Sequence, residues 1–488
     1  MVSVPAWLPA TELGVVLSLL LALAVVRWLD RAADWSATRR SRLLLGVPWG
    51  TLTSGLFVLA VYLFVQGGLD HWFAPLTIPY RSWSYLYPLG VVTAAFAHNG
   101  VGHLTGNLLG TVVLGSLAEY AWGHYPTERG AETFASWRSN PYVRAFVLFP
   151  LGVIVVGLLT SLFSWGPVIG FSGVVFAFAG FALVRYPIGT VVALTVDDVV
   201  GLFYRALQDP ITVAAAEPSF GRPWWAGIAI QGHLLGLFIG IVLGAAVLGR
   251  RERSPSRLFA GTLLAGTSLS LWALWWFRGA SEFVLFRGLG VVFVVGLSLL
   301  VTLGVLATHR DWTVPELNVP ARTVGLLALV LPVLVVSAAA VPLNLSTVAD
   351  DSAPGGGPAI EVRDYTVVYA EDVVNQQTSV VNLSVLGETT QVRSSGVIVV
   401  SGDRHLWAQA VSKARLDFAG RLAVPLGGPG WRQAVFVQRE GWDVAGNGTV
   451  YRVFLREAGG PQQLAYVSPG RTADPVLAGH RVEVDAGR

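Results

Sequence analysis

The sequence predicts an all-α polytopic membrane protein with a soluble β-rich domain at its C-terminal end. Three observations lead there. Hydrophobic residues make up 53% of the 488 positions and charged residues only 13%, about half the charged share of soluble domains. About ten stretches approach the roughly 20 apolar residues that cross a bilayer. After Val341 the apolar runs give way to short β-branched segments separated by turn signals.

The candidate spans are approximately Leu13–Leu29, Leu44–Gln66, Gly100–Trp122, Val143–Phe163, Ser172–Val184, Ile188–Leu207, Trp225–Leu248, Leu258–Phe277, Leu285–Thr308 and Thr323–Val341. The fifth is short for an untilted crossing. The fifth and sixth meet at Tyr186-Pro187 and also read as one broken helix. The first is not a signal peptide by its charge: Met1 to Leu13 holds no basic residue, whereas Arg27 and Arg31 follow the run.

Mean hydropathy is +0.59, and the net charge of +3 is too small to point to nucleic acid. There is no cysteine, which excludes disulfides, thiolate metal sites and cysteine nucleophiles. Lys413 is the single lysine beside many arginines, which reads as a GC-rich prokaryotic genome. The loops are unequal in charge. Arg27, Arg31, Arg39, Arg40, Arg42, Arg129, Arg138, Arg144, Arg185, Arg250, Arg251, Arg253, Arg257, Arg310 and Arg322 fall on one side. Arg81, Arg205, Arg222, Arg278 and Arg287 fall on the other. Basic loops stay in the cytoplasm, so both the N-terminus and the C-terminal domain are expected outside a cell membrane.

The division by composition is 1–43 for a first helix and basic loop, 44–249 for a helical core, 250–343 for three further helices, 344–359 for a linker and 360–488 for the β-rich domain. Strand runs are expected at Val367 to Tyr369, Ser379 to Leu386, Gly396 to Val400, Ala434 to Val437 and Val450 to Leu455. Gly355-Gly356-Gly357 is expected to decouple this domain from the last helix. Glycosylation sequons begin at Asn344, Asn382 and Asn447, all in the tail, which agrees with the external orientation.

Polar residues within spanning helices are expensive and usually functional. His103 and Asn107 stand four apart on one helix face. Gly170-Phe171-Ser172-Gly173 opens the fifth span, and His233 lies in Gly232-His233-Leu234-Leu235-Gly236 on the seventh, with Gly240 one turn on. A serine hydroxyl needs an adjacent base, and glycines around His233 and Ser172 allow two helix backbones to approach. Ser172 at a helix N-terminus leaves its own N–H free for a developing oxyanion. Asn107 and His103 can add donors. No acidic residue is placed as a third member, so a Ser-His dyad is the economical reading.

Gly102-His103-Leu104-Thr105-Gly106-Asn107, Gly170-Phe171-Ser172-Gly173 and His233-Leu234-Leu235-Gly236 with Gly240 resemble, in order, the three signatures of the rhomboid family. The resemblance implies a six-helix core from about Leu44 to Leu248; it says nothing about the one extra helix that the apolar runs place before the core and the three they place after it. It implies an intramembrane serine endopeptidase with Ser172 as nucleophile and His233 as general base. His103, Asn107 and the Ser172 amide would form the oxyanion hole. His98 matches the outer histidine, and Phe176 takes the place of an aromatic that packs on the catalytic histidine. Gly170, Gly173 and Gly236 are secondary positions. Substrates would be transmembrane segments of proteins in the lipid bilayer, with no metal and no organic cofactor; nothing in the sequence sets an oligomeric state. The Trp-Arg pair usual in the first loop departs from pattern, since Arg81 and Trp83 are out of register.

Each feature also has a plainer reading. Glycines at four-residue spacing pack membrane helices, and a lone Ser172, His103 or His233 in a span is more often a structural hydrogen bonder. The combination favours catalysis; a non-catalytic helix-binding member of the same fold is the alternative. Asp197 and Asp198 fall mid-span, where an ionised carboxylate costs roughly 2.5–3.5 kcal/mol on insertion scales. The plain reading, which is favoured, is that the helix is shorter, tilted or broken and both are wet; the sharper one is a polar contact beside the active site, at a substrate gate. His71, His124 and His309 read as surface histidines in loops, and Trp224-Trp225 and Trp275-Trp276 as interfacial belts.

Overall fold

The computed structural model describes residues 17, 20–21, 40–125, 131–208, 223–248, 254–278, 282–308, 313–314, 319–346, 353–354, 357–376, 384–385, 388–389, 392–477 and 480–486. Most of the expected first span, Asn382 and His309 lie outside the described residues.

The helical part follows the apolar runs. Helix α1 is Trp49–Val65, α3 Val101–Trp122, α4 Pro141–Leu162, α5 Ser172–Arg185, α6 Pro187–Gln208 and α7 Ile230–Val247. A short helix, α2 at Pro88–Thr93, sits in the loop between α1 and α3. Helices α8 (Pro255–Ser268), α9 (Arg287–Ala307) and α10 (Ala321–Ser346) follow. Among the described residues five are long and apolar enough to cross a membrane: α3, α4, α7, α9 and α10; α1 and α5 are shorter apolar helices. The chain is a multi-pass membrane protein.

Two corrections to the expected spans are local in cause. Leu258–Phe277 is not one helix: α8 stops at Ser268, Ser270 adopts a positive φ of 57°, and Trp275–Arg278 (β1) turns to pair with Glu282–Leu285 (β2). The last helix runs past Val341 through Pro342 to Ser346, because the residues beyond Pro342 find partners on neighbouring loops. Asn344 is only 2% exposed and its Nδ2 donates to the Ser164 carbonyl at 2.9 Å. An amide so engaged has no room for a glycan, so that sequon is structural. Asn447 sits in a hairpin turn with Nδ2 donating to the Thr472 carbonyl.

Helix α5 lies at the centre, buried along nearly its whole length. The common core brings Val58 and Tyr62 of α1, Leu104 and Leu114 of α3 and Val153 of α4 against Phe176, Phe178 and Leu183 of α5 and Leu235, Phe238 and Ile241 of α7. α8 covers α6, α9 packs on α8, and α10 returns to pack along α7. At the end opposite Ser172, Glu119 is fully buried and accepts from the Gly50 and Thr51 amides, the Thr51 hydroxyl and His124 Nε2, the last at 2.5 Å. This corrects the reading of His124 as a surface residue; its Nδ1 accepts from Leu44 N, and the pair caps α1.

Helix α6 is continuous through Asp197 and Asp198. Asp198 is exposed on its outer face and Asp197 is half-buried. Where that outer face meets water, the carboxylate has little to gain by neutralisation. Asp198→Asn should leave thermal stability within about 0.5 kcal/mol of wild type and leave turnover unchanged; a large gain in melting temperature would show that α6 carries a costly buried charge.

Among the described residues the tail holds two two-stranded antiparallel sheets, Ser384–Val385 with Glu388–Thr389 and Arg471–Leu477 with His480–Val484, and two four-stranded ones. One comprises β3 (Ile360–Val362), β4 (Tyr365–Val374), β5 (Arg393–Ser401) and β6 (Leu406–Ser412), in the order β6-β5-β4-β3; a short helix α11, Lys413–Ala419, follows β6. The other is a meander of β7 (Arg421–Gly428), β8 (Trp431–Asp443), β9 (Thr449–Glu457) and β10 (Gln462–Val467). Alternating residues of both, including Val367, Val399, Leu426, Val437 and Val453, meet in one core. Its long β-branched runs made it visible in sequence. Its independence from the helices is not borne out: Ile78, Trp83 and Tyr87 of the α1–α3 loop are members of that same core.

Candidate active site

Gly170 has a φ of +127°, a conformation that favours glycine. The turn it makes leads into α5, with Ser172 as the first helical residue. The first N–H groups of a helix have no partner within it, so the Ser172 amide is oriented outward with the helix dipole behind it. The His103 ring occupies the space where a Gly170 side chain would project. Gly170 is therefore required twice, once for its backbone and once for the approach of His103.

Helices α5 and α7 touch backbone to backbone. A Cβ on Gly236 would fall on the Gly173 carbonyl, one on Gly240 on the Ala177 carbonyl, and one on Gly180 on the Leu237 carbonyl. This close approach brings His233 Nε2 to 3.0 Å from Ser172 Oγ. The Phe176 ring stacks on His233, centroids 4.1 Å apart and planes at 17°, which fixes the imidazole plane. Among the described residues His233 Nδ1 has no hydrogen-bond partner, so no acid orients the ring; the stacked phenylalanine does that work.

The cavity over this pair has a volume of about 390 Å³. His103, Asn107, Ser172 and His233 all line it. Asn107 is 7% exposed, and its Nδ2 and His103 Nδ1 lack hydrogen-bond partners among the described residues. Unpaired buried donors are costly unless something else accepts from them. Gly102 and Gly106 have open space where a side chain would stand; they keep the cavity wide rather than packing helices, while Gly110 does pack, on Val175. His98 is fully buried, 5.1 Å from the His103 ring at 67°. Its backbone is held by Gln66, whose Oε1 accepts from His98 N and whose Nε2 donates to the carbonyls of His98 and Leu76. Ser172, His233, His103, Asn107, Gly170 and Gly173 thus gather around one cavity, Phe176 and Gly236 lie on the helix contact that forms it, and His98 stands outside the lining, packed against His103.

Several lining residues were not foreseen. Thr160, Ser161 and Ser164 form one wall, and Arg81 reaches the rim, donating to Asn99 Oδ1 at 2.6 Å. Gln231 ties the wall to α7 through Trp165 N and the Phe163 carbonyl. The serines sit at the end of an apolar run, where composition marks only a helix terminus.

The arrangement offers a hydroxyl beside a base, with donors converging on the space above the hydroxyl. If Asn107 Nδ2 stabilises an oxyanion there, Asn107→Ala should slow peptide cleavage by about 10²-fold while leaving the protein folded. An unchanged rate would remove Asn107 from the site. A family model described as Rhomboid domain matches residues 86–250 of the chain. No curated protein and no solved structure matches it.

Proposed function

The chain is a rhomboid-family protein, its rhomboid domain covering residues 86–250, and from that premise we propose that it is an intramembrane serine endopeptidase acting on transmembrane segments of other membrane proteins. The observation that carries the reading is the 3.0 Å contact of His233 Nε2 with Ser172 Oγ inside a cavity walled by apolar helices.

The proposed chemistry uses this chain's own groups. His233 Nε2 takes the hydroxyl proton as Ser172 Oγ attacks the scissile carbonyl. Charge developing on the carbonyl oxygen is met by the Ser172 N–H, Asn107 Nδ2 and His103. The tetrahedral intermediate collapses, the C–N bond breaks, and His233 returns its proton to the leaving amine. Water then attacks the acyl-serine with His233 again as base, freeing the new carboxylate. Ser161, Ser164 and Thr160 on the cavity wall make it more polar than the surrounding helices, which supports the entry of the water this second step requires.

The test is cleavage by the purified full-length protein of a substrate with one transmembrane segment, in H₂¹⁸O. The expected result is a cut in or beside the apolar segment, with ¹⁸O in the new C-terminal carboxylate. Stable binding of the segment without any cut would favour the non-catalytic reading.

A further inference from the structure

The loop between α1 and α3 has two faces. On one, Ile78, Trp83 and Tyr87 are buried within the tail's β core. Arg404 of the tail ion-pairs with Asp364, donates from Nη1 to Tyr87 Oη at 2.9 Å and lies over the Tyr365 ring at 4.5 Å. Burial alone would raise the Asp364 carboxyl, but the Arg404 hydrogen bonds and charge outweigh it and hold Asp364 below the usual carboxylate range. Arg432 donates to the Ala74 carbonyl at 2.6 Å, and Leu76 fills the space beside Gly427.

On the other face, neighbouring residues of the same loop hold the cavity wall. Ser82 N donates to the Val168 carbonyl at 3.1 Å in a bridge. Leu76 and Tyr80 cluster with Ala97 and Ile169. Val168 and Ile169 line the cavity immediately before Gly170 and Ser172. A second tie runs through the helix that carries the tail: Tyr85 N donates to the Asn344 carbonyl, and Asn344 Nδ2 to the carbonyl of Ser164 in the cavity wall.

We propose that the C-terminal β domain is a clamp on the catalytic wall, with Arg404 and Trp83 as positioning residues that hold segment 167–170 in place through the α1–α3 loop. The clamp needs no contact between the tail and substrate, which separates it from a substrate-recruiting role. Its effect on catalysis rests on the protease reading; its effect on the order of segment 167–170 does not. A displacement well under an ångström suffices, since about 1 Å of misplacement can cost on the order of 10²-fold in rate.

Two measurements on the full chain test this, in Arg404→Ala and in the milder Tyr87→Phe, which deletes one hydroxyl and keeps the ring. Amide hydrogen exchange is expected to rise in both segments 76–87 and 167–171 of Arg404→Ala, and less so in Tyr87→Phe. The rate at which a small fluorophosphonate labels Ser172 should fall about tenfold in Arg404→Ala, with little change in the KM of a membrane substrate. A small probe needs no recruitment, so a raised KM with unchanged labelling overturns the clamp. So does faster exchange at 76–87 with none at 167–171. Should wild type fail to label at all, the protease reading falls while the exchange result still decides the clamp. If Arg404→Ala does not fold, the same comparison in Tyr87→Phe decides it.

Discussion

Ser172→Ala and His233→Ala should each reduce cleavage of a model transmembrane substrate by about 10⁶-fold, to background, on the proposed roles of Ser172 as nucleophile and His233 as base, since such a pair acts as a unit and losing either member removes nearly all the rate. The two variants should be equally inactive and the double variant no worse. Both are expected to fold. Ser172 opens α5 with its hydroxyl facing the cavity, and an alanine there removes only the bond to His233 Nε2. His233 packs on Phe176, so its loss leaves a gap but no unpaired partner beyond the serine, which water in the cavity can solvate. Melting curves close to wild type with no turnover are the expected result. Appreciable turnover by either purified variant would show that the 3.0 Å pair does not carry the chemistry.

Gly236→Val should remove activity as completely, for a different reason. The valine Cβ would land on the Gly173 carbonyl, which is backbone and cannot rotate away. Helices α5 and α7 must separate by more than an ångström, carrying His233 from Ser172. At roughly 10²-fold in rate per ångström of misplacement, turnover should fall beyond detection. Overpacking of this kind also costs about 1–3 kcal/mol of stability, so a lowered melting temperature should accompany the loss. Gly102→Ala is the matched control: open space surrounds that position, so stability should hold. Normal turnover in Gly236→Val would mean that the close α5–α7 contact is not what sets the dyad distance.

Much of the helical core was legible because a bilayer permits few solutions. Long apolar runs become helices, and the polar residues retained inside them, His103, Asn107, Ser172 and His233, converge on one cavity. Glycine spacing pointed correctly to helix contact at Gly236 and Gly240, yet it misreads Gly102 and Gly106, which leave space open. Period alone does not tell which face of a helix meets a neighbour. Glu119 and His124 were missed because a buried hydrogen-bonded pair at a helix end has the same residue types as a wet loop. The break of α8 at Ser268 was hidden because Trp272 to Phe277 is as apolar as the helix before it, although it turns into a hairpin.

The docking of the tail was the feature least accessible to sequence. A Gly-rich linker predicts freedom between domains, but freedom is lost when a distant loop contributes side chains to a shared core. Trp83 and Tyr87 stand more than 270 residues before the strands they pack against. No local pattern marks that pairing. Of the out-of-register pair, Trp83 is buried in the tail's core and Arg81 lies at the cavity rim.

The proposed chemistry turns on activation of the Ser172 hydroxyl by His233. The most direct measurement is labelling of the purified full-length protein in detergent by a fluorophosphonate, with the modified residue located by peptide mass spectrometry. A single adduct on Ser172 is expected, absent in Ser172→Ala and formed far more slowly in His233→Ala. Labelling that persists in Ser172→Ala, or a Ser172 adduct forming at the same rate without His233, would contradict it.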